Sequence, residues 1–230
     1  IPLMTNPVKL RLEHLRKIDF LTKKQEDVFT SWEKGFNLVL NGSAGTGKTF
    51  LALYLALETI LERDNNFDRI VIVRSAVPTR DMGFLPGTQE EKEEAYLAPY
   101  KAILNELFND NEAYLKLTAT GHVEFLTTSY IRGLTLDNAI VIVDEMQNLT
   151  GHELDSVITR VGMNCKIMFC GDYYQSDFRH NGDKGGILKF LEILSELKLF
   201  DVVEFGWEDI VRSGLVRDYI MTKEMKKIDF

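Results

Sequence analysis

The chain has 230 residues, of which 45% are hydrophobic, and a formal net charge of −8. This length and composition suffice to bury one substantial core, and a single α/β domain of this size is ordinary. No apolar run reaches the roughly 18 residues that a membrane-spanning helix needs, so we expect no membrane span. At the start, IPLMTNPVKLRLEHLRK, the charges follow the few apolar residues, so we expect no signal peptide. The acidic balance argues against general nucleic-acid binding unless the basic residues gather on one face.

The predicted elements alternate between strands and helices, and several strands are almost wholly apolar. Such strands suit a parallel sheet that is covered on both faces, and the alternation is typical of a doubly wound α/β domain. In chain order the predicted elements are a strand at Phe36–Leu40, a helix near Lys48–Arg63, a strand at Arg69–Arg74, a helix around Glu90–Phe108 with a break at Pro99, strands at Val123–Thr127 and Ala139–Val143, a helix beginning at Thr150, a strand at Lys166–Cys170, a helix at Gly186–Leu199, a strand at Val202–Phe205 and a helix near Trp207–Lys223.

Two cysteines, Cys165 and Cys170, fall in one strand-like segment of the sequence. No second pair of Cys or His residues at ligand spacing accompanies them, so neither a zinc site nor a disulfide framework is indicated. We expect them to be buried thiols of a protein in a reducing compartment.

The segment 42-GSAGTGKT-49 follows a predicted strand and opens a predicted helix. It satisfies the pattern G-x-x-x-x-G-K-S/T at every position, in the context that this motif requires. Its glycines let successive N–H groups face one centre, where the helix N-terminus adds partial positive charge. We expect Lys48 to reach the β- and γ-phosphates of a nucleotide and Thr49 to offer its hydroxyl to Mg²⁺. The predicted phosphate-binding residues are Gly42, Ser43, Ala44, Gly45, Thr46, Gly47, Lys48 and Thr49.

Two acids end the apolar strand in 140-IVIVDEMQNLT-150. Asp144 can hold Mg²⁺, usually through water, and Glu145 can polarise the water that attacks the γ-phosphate. The alternative for Glu145 is a solvated loop acid. The sequence has no signature of guanine recognition, so ATP is favoured over GTP.

Gln25 has two alternative roles, which the sequence leaves open. In 22-TKKQ-25, Thr22 and Gln25 fit a capping box at a helix N-terminus. Gln25 also lies upstream of Gly42 at the distance where helicase-like ATPases place a glutamine that reads adenine. An amide can donate to N7 of adenine and accept from its exocyclic amine.

Further candidates lie later in the chain. In 171-GDYYQ-175, Gln175 would lie near the γ-phosphate or the attacking water, unless this segment is only a polar loop. A cation that neutralises the charge of the transition state is worth roughly 10³–10⁵ in rate. Arg212, in 208-EDIVRSGLV-216, is the preferred candidate and is predicted to reach the site of a neighbouring subunit. The full set of candidate arginines is Arg74, Arg80, Arg132, Arg160, Arg179, Arg212 and Arg217.

Taken together, these motifs resemble those of PhoH-like ATPases. GSAGTGKT, 83-GFLPG-87, 90-EEK-92, 96-YLAP-99, 132-RGLTLDNA-139, DEMQN, 159-TRVG-162, GDYYQSD and EDIVRSGLV occur in the order and spacing of that family. The resemblance runs from about Gln25 to about Tyr219, which is nearly the whole chain. Walker-type glycines are shared by many families, whereas GFLPG combined with RG-x-TL and DE-x-QN is far more particular.

The resemblance implies a RecA-like P-loop NTPase core similar to superfamily-one RNA helicases, in a single ATPase domain at residues 21–230 behind an N-terminal extension at residues 1–20. It implies that Gln25 reads adenine, that Asp144 and Glu145 form motif II, that Gln175 is the motif III sensor and that Arg212 is an arginine finger. The ATPase-only form is similar to versions from bacteria and phages, so we expect the cytoplasm of a bacterium or of a phage-infected host.

A stepping helicase needs two bodies that open and close around ATP, and this sequence predicts one. We therefore expect a homo-oligomeric ring, which agrees with the hexamers of the family. Single-stranded RNA or DNA would meet Val77–Thr88, with Arg80 and Phe84, and the segment Tyr130–Arg132. The alternative is a nucleotide-gated protein-interaction module without helicase activity, and a small-molecule kinase is disfavoured because Glu145 suits attack by water.

Overall fold

A computed structural model describes residues 8–75, 89–172 and 184–228 of the chain. Within these ranges six strands form a single sheet in the order β3-β2-β4-β5-β1-β6, and every pairing is parallel. The predicted α/β class with a mostly parallel sheet is confirmed. The strands are β1 (Asn37–Gly42), β2 (Arg69–Arg74), β3 (Val123–Thr127), β4 (Ala139–Val143), β5 (Lys166–Gly171) and β6 (Phe200–Phe205).

Helices connect the strands and cover both faces of the sheet. Among the described residues every helix is too short or too polar to cross a lipid bilayer. The α-helices of the described part are α1 (Lys23–Glu33), α2 (Lys48–Leu61), α3 (Gln89–Phe108), α4 (Ala113–Ala119), α5 (Thr128–Ile131), α6 (Gly151–Ile158), α7 (Lys184–Glu196) and α8 (Gly214–Met225).

Successive residues of each strand point to opposite faces of the sheet, so one apolar strand serves two separate cores. In β1, Leu38 and Leu40 pack in the core beneath α2 and α3, while Val39 packs in the core beneath α6 and α7. The central strand β4 is buried at every position, as an apolar run in a parallel sheet requires. The predicted covering of both faces is thereby confirmed.

The structure corrects the predicted break at Pro99. Helix α3 continues through Pro99 without interruption. Tyr100, Leu104 and Leu107 of this helix are all buried in the core, so tertiary packing outweighs the hydrogen bond that proline removes. The final helix also begins later than predicted, at Gly214, because Trp207–Asp209 forms a 3₁₀ turn.

Residues before α1 lie against the same core as the rest of the chain. Leu10 and Leu15 are buried in it, and the backbone N–H of Arg16 donates to the carbonyl of Leu107 at 2.8 Å. The division into an extension at residues 1–20 and a domain at residues 21–230 stays a prediction.

The parallel order brings three strand ends together. Strands β4, β5 and β1 are neighbours, and their carboxyl ends lie at one edge of the sheet. The chain leaves these ends at Asp144, Asp172 and Ser43 respectively. Ligands of open α/β sheets bind beyond this edge, so the topology places the predicted phosphate loop beside the predicted acids.

Candidate functional site

The loop between β1 and α2 depends on glycines with positive φ. Gly42, Gly45 and Gly47 have φ values of 127°, 72° and 78°, a region that residues with a Cβ rarely adopt. A Cβ on Gly42 would lie 2.0 Å from the carbonyl oxygen of Phe205, so this position also needs space. The loop therefore has a curled backbone that leads into the N-terminus of α2, which is a ready anion-binding geometry.

Lys48, the first residue of α2, reaches back over the loop. Its Nζ donates to the carbonyl oxygens of Gly42 at 2.9 Å and Ser43 at 2.7 Å, and lies 3.3 Å from Oγ1 of Thr46. Burial lowers the pKa of Lys48, while the nearby Asp172 carboxylate opposes that shift. A bound phosphate would supply a second anion to this partly buried cation.

Asp144 is buried at the end of β4, and each of its carboxylate oxygens accepts a hydrogen bond. The hydroxyl of Thr49 donates to Oδ1 at 2.9 Å, and the hydroxyl of Tyr100 donates to Oδ2 at 2.7 Å. Burial, with the charge of Asp144 next, raises the pKa of the Tyr100 phenol, which keeps it a donor. The two predicted metal-holding residues, Thr49 and Asp144, are thus brought into direct contact.

Glu145 has a left-handed backbone, with φ of 50°, which turns the chain sharply after β4. Its Oε2 accepts from Nε2 of Gln147 at 2.5 Å, and Oε1 of Gln147 accepts from the backbone N–H of Asp172 at 3.0 Å. Burial and then the Asp144 charge raise the pKa of Glu145, and the guanidinium of Arg74 opposes them. This network joins the ends of β4 and β5.

Gln25 is buried and contacts both the helix start and the phosphate loop. Its backbone N–H donates to the Thr22 hydroxyl at 3.2 Å, which is the predicted cap. Its side-chain oxygen accepts from the N–H of Leu21 at 2.9 Å, and Nε2 lies 3.4 Å from the carbonyl oxygen of Thr46. The residue therefore has the capping position and also a place at the loop; adenine contact stays a prediction.

Arg212 lies against the phosphate loop of its own chain. The N–H of Val211 donates to the carbonyl oxygen of Gly45 at 2.9 Å, and a Cβ on Gly45 would meet Cγ of Arg212 at 2.8 Å. From α8, Glu224 accepts a hydrogen bond from the Ser43 hydroxyl at 3.0 Å. The segment after β6 thus places Arg212 at the site of the chain that carries it, and its predicted reach to a neighbour stays a prediction.

One open cleft of about 640 Å³ lies at the carboxyl edge of the sheet and is lined by most of the phosphate loop, the two acids, Gln25 and Arg212. Its lining includes apolar residues before α1, notably Ile18 and Leu21, beside Gln25. The predicted site residues that line it are Gln25, Ala44, Gly45, Thr46, Gly47, Lys48, Thr49, Asp144, Glu145 and Arg212.

Gly42 and Ser43, at the start of the phosphate loop, do not line the cleft. Gln175, Arg80, Arg179 and Phe84 lie outside the described residues. Tyr130 is 66% exposed on α5, and Arg132 directly after it is also exposed. Neither residue lines the cleft.

Two contributors to the site were not predicted. Tyr100 binds Asp144 from α3, and Gln147 binds Glu145 from the turn that directly follows the acids. The signal for Tyr100 is the pair Tyr96 and Tyr100, four residues apart on a predicted helix, which puts two phenols on one face. Arg74 was one of the arginines considered for neutralising charge in the transition state. Its guanidinium carbon lies 5.1 Å from the ring centroid of Tyr96.

The site offers oxygen ligands of the kind that Mg²⁺ prefers, the Thr49 hydroxyl and the Asp144 carboxylate, 2.9 Å apart. Among the described residues no group of three or more His, Cys, Asp or Glu side chains could hold a metal ion. Mg²⁺ is commonly bound by one or two protein groups together with substrate phosphates and water. The residues present therefore fit Mg²⁺ that arrives with a nucleotide.

The sequence of the chain matches a family of known proteins. The family described as PhoH-like protein matches residues 17–224. The chain belongs to this PhoH-like family. A PhoH-like protein of Synechocystis sp. is 38% identical over 184 residues, which are 80% of this chain and 55% of that protein. Protein PhoH of Escherichia coli is 36% identical over 176 residues, which are 76% of this chain and 49% of that protein. The chain thus spans about half the length of these curated relatives.

Solved structures resemble the PhoH-like chain in fold. The large terminase of a thermophilic bacteriophage in complex with ATP-gamma-S has a TM-score of 0.53 at 17% identity, covering 86% of this chain and 48% of that one. The DUF1998 helicase MrfA bound to DNA has a TM-score of 0.52 at 15% identity, covering 88% of this chain and 28% of that one. The predicted RecA-like P-loop fold is confirmed.

Proposed function

We propose that this PhoH-like chain is an Mg²⁺-dependent ATPase, whose hydrolysis is coupled to single-stranded RNA or DNA in a homo-oligomeric ring. The observation that carries the ATPase proposal is the contact between the phosphate motif and the first of the two acids. Thr49 of the loop donates to Asp144, and Glu145 follows within the same cleft. A carboxylate beside the predicted γ-phosphate position is suited to accept a proton from attacking water.

The reaction follows from the residues in the cleft. The loop N–H groups and Lys48 bind the β- and γ-phosphates, and Gln25 orients adenine beside the apolar surface of Ile18 and Leu21. Water attacks the γ-phosphorus, the bond to the β–γ bridging oxygen breaks, and the proton of the water passes to Glu145. ADP and phosphate leave. Arg212, from its position at the loop, offsets charge on the phosphates.

Thr49 and Asp144 would hold the Mg²⁺ that accompanies ATP. When bound, Mg²⁺ neutralises charge on the β- and γ-phosphate oxygens. Gln175, four residues after β5 in the sequence, is proposed as the sensor of the γ-phosphate. The Asp172 N–H and the Gln147 side chain connect this strand end to Glu145, which supports communication between the two segments.

Coupling to nucleic acid is supported by the exposed Tyr130 and Arg132 at the carboxyl edge of the sheet. An aromatic ring can stack on a base while a guanidinium pairs with phosphate. A stepping core needs a second body to close against, and we propose that neighbouring subunits of a ring supply that surface. The net charge of −8 favours the second candidate, a nucleotide-gated protein-interaction module.

The test is the steady-state ATPase rate with Mg²⁺ or EDTA, and with or without single-stranded RNA and DNA at low salt. We expect turnover only with Mg²⁺ and stimulation by one of the nucleic acids. Arg132→Ala should abolish the stimulation, whereas Arg63→Ala should not. Arg63 is an exposed arginine just beyond the end of α2, so the two variants carry the same charge change.

The outcomes separate the candidates. Turnover without any stimulation or nucleic-acid binding favours the nucleotide-gated module. Equal loss of stimulation in Arg132→Ala and Arg63→Ala would indicate that positive charge anywhere on the surface, rather than the Tyr130–Arg132 segment, attracts the nucleic acid. Absence of Mg²⁺-dependent turnover in the intact chain contradicts the ATPase proposal.

A further inference from the structure

Tyr100 holds one oxygen of Asp144 from outside the nucleotide motifs. It comes from α3, is 1% exposed, and donates to Oδ2 at 2.7 Å. Thr49 donates to the other oxygen, Oδ1. Because each oxygen has its own donor, the carboxylate cannot rotate without losing a hydrogen bond.

The phenol ring of Tyr100 is itself held in place. Its centroid lies 5.9 Å from that of Phe125, with the ring planes at 40°. The guanidinium carbon of Arg74 lies 5.9 Å from the same Tyr100 centroid. Phe125 belongs to β3 and Arg74 ends β2, so the ring is packed against residues of two neighbouring strands. Because the phenol ring is held in place, its hydrogen bond can hold the Asp144 carboxylate in one orientation.

Orientation matters for this particular carboxylate. Mg²⁺ tolerates little departure from its preferred geometry, and groups behind a metal-holding residue commonly set its direction. The hydrogen bond from Tyr100 engages Oδ2, while Oδ1 contacts the Thr49 hydroxyl at the start of α2. The two hydrogen bonds therefore fix the plane of the carboxylate, with one oxygen toward the phenol and the other toward the phosphate loop.

We propose that Tyr100 is a positioning residue, which orients the Asp144 carboxylate for Mg²⁺ through its phenolic hydrogen bond. The inference rests on the proposed function, since it assigns Tyr100 a role toward the ion that accompanies ATP. It also connects α3 to the metal-holding acid, so a displacement of this helix would alter the affinity of the site for Mg²⁺.

A matched control exists within the chain. Tyr54 on α2 is also buried, at 5% exposure, and its hydroxyl donates to Oε2 of Glu58 at 2.8 Å. Neither Tyr54 nor Glu58 lines the cleft. Tyr54→Phe removes a phenol–carboxylate hydrogen bond of similar length, without touching the proposed site.

The experiment compares Tyr100→Phe with Tyr54→Phe and the unaltered chain. Binding of ATP-gamma-S, measured by calorimetry, is titrated with Mg²⁺ and repeated in EDTA. For Tyr100→Phe we expect the half-saturating Mg²⁺ concentration to rise about tenfold, the low end for groups behind a metal ligand. Its affinity in EDTA should equal that of the unaltered chain, and Tyr54→Phe should change neither quantity. Melting temperatures report any general loss of stability.

The results decide the inference and the proposed function separately. An unchanged Mg²⁺ requirement in Tyr100→Phe overturns the positioning role, and so does an equal weakening in EDTA, which would indicate a structural effect. If the unaltered chain binds ATP-gamma-S with Mg²⁺ yet never hydrolyses ATP, the ATPase proposal fails while the comparison still decides the role of Tyr100. Binding that ignores Mg²⁺ in all three proteins overturns the positioning role, whereas Mg²⁺-dependent turnover of the unaltered chain decides the ATPase proposal.

Discussion

At the scale of single residues, Gln25 contacts both the start of α1 and the phosphate loop. Its backbone N–H takes part in the helix cap with Thr22, whereas its side-chain amide lies in the cleft beside Thr46. The two roles use different atoms, so substitutions can separate them. Substitution of Gln25 therefore tests adenine contact, and substitution of Thr22 tests the helix cap.

We expect Gln25→Ala to reduce the preference for ATP over GTP, because a buried amide that reads a base rejects a partner lacking the matching groups. Thr22→Ala should lower the free energy of unfolding by about 0.5–2 kcal/mol through loss of the cap, and should leave the base preference intact. Competition binding with both nucleotides and denaturant unfolding are the two measurements. If Gln25→Ala leaves the base preference unchanged, the side chain does not read adenine.

The burial of the two cysteines predicts how the alkylation of their thiols depends on pH. Burial raises the pKa of the Cys170 thiol and also that of Cys165. A raised pKa leaves less reactive thiolate at neutral pH, so alkylation of the folded chain should stay slow until the pH exceeds the ordinary range for cysteine. Cys170 is 1% exposed and should react last, through opening of the fold.

Mass spectrometry of iodoacetamide-labelled peptides against pH checks this expectation. In denaturant both thiols should react at one common rate, since neither forms a disulfide in the structure. Labelling of Cys170 in the folded chain as fast as a free thiol at pH 8 would contradict its burial.

At the scale of elements, the segment after β6 packs on the phosphate loop. Alanine substitutions at two glycines test whether this packing shapes the loop. Gly35 and Gly45 both have positive φ, at 92° and 72°. A Cβ on Gly35 meets nothing within 4 Å, whereas one on Gly45 meets Arg212 and Ile220. An alanine would strain the backbone by a similar amount at both positions. Its Cβ would clash with neighbouring side chains only at Gly45.

Gly35→Ala should cost about 1–2 kcal/mol of unfolding free energy, from the left-handed backbone alone, and should leave nucleotide affinity unchanged. Gly45→Ala should cost at least as much and should weaken ADP binding by about tenfold, the equivalent of one hydrogen bond at the displaced loop. Thermal unfolding and ADP titration of the two variants provide the comparison. Equal affinities would show that the contact with the segment after β6 does not shape the loop.

The elements themselves differ in how far the sequence predicts them. Strands β2, β3 and β4 lie at the predicted residues, because a short apolar run between turn signals suits a buried parallel strand. The loop at 42–49 was predictable because its glycines are required locally. In contrast, the continuity of α3 through Pro99 depends on packing against distant residues, which no local pattern encodes.

The candidate site divides in the same way. Thr49 and Asp144 were predicted from their motifs, and the parallel sheet brings them into contact. The hydrogen bond from Tyr100 depends on where α3 lies, and the one between Gln147 and Asp172 depends on how the ends of β4 and β5 meet. The position of Arg212 beside its own loop likewise depends on the backbone bond between Val211 and Gly45. Sequence spacing alone does not distinguish such a contact from one across subunits.

At the scale of the whole molecule, the position of Arg212 bears on assembly. Because it lines the cleft of its own chain, we expect mixtures of Arg212→Ala and Glu145→Gln proteins to remain as inactive as either alone. Arg217→Ala, an exposed arginine on α8, is the control and should retain turnover. Recovery of turnover on mixing would show that the arginine serves a neighbouring subunit, as the sequence motif first suggested.

The central claim is that the cleft binds MgATP and that Glu145 activates the attacking water. Rapid-quench single-turnover hydrolysis of radiolabelled ATP by Glu145→Gln tests it most directly, with ATP affinity measured on the same protein. Glu192→Gln, an exposed carboxylate on α7, serves as the matched control. We expect Glu145→Gln to bind ATP as tightly as the unaltered chain and to cleave it about 10²–10⁴-fold more slowly, the usual contribution of a general base. Cleavage at the unaltered rate would contradict the account.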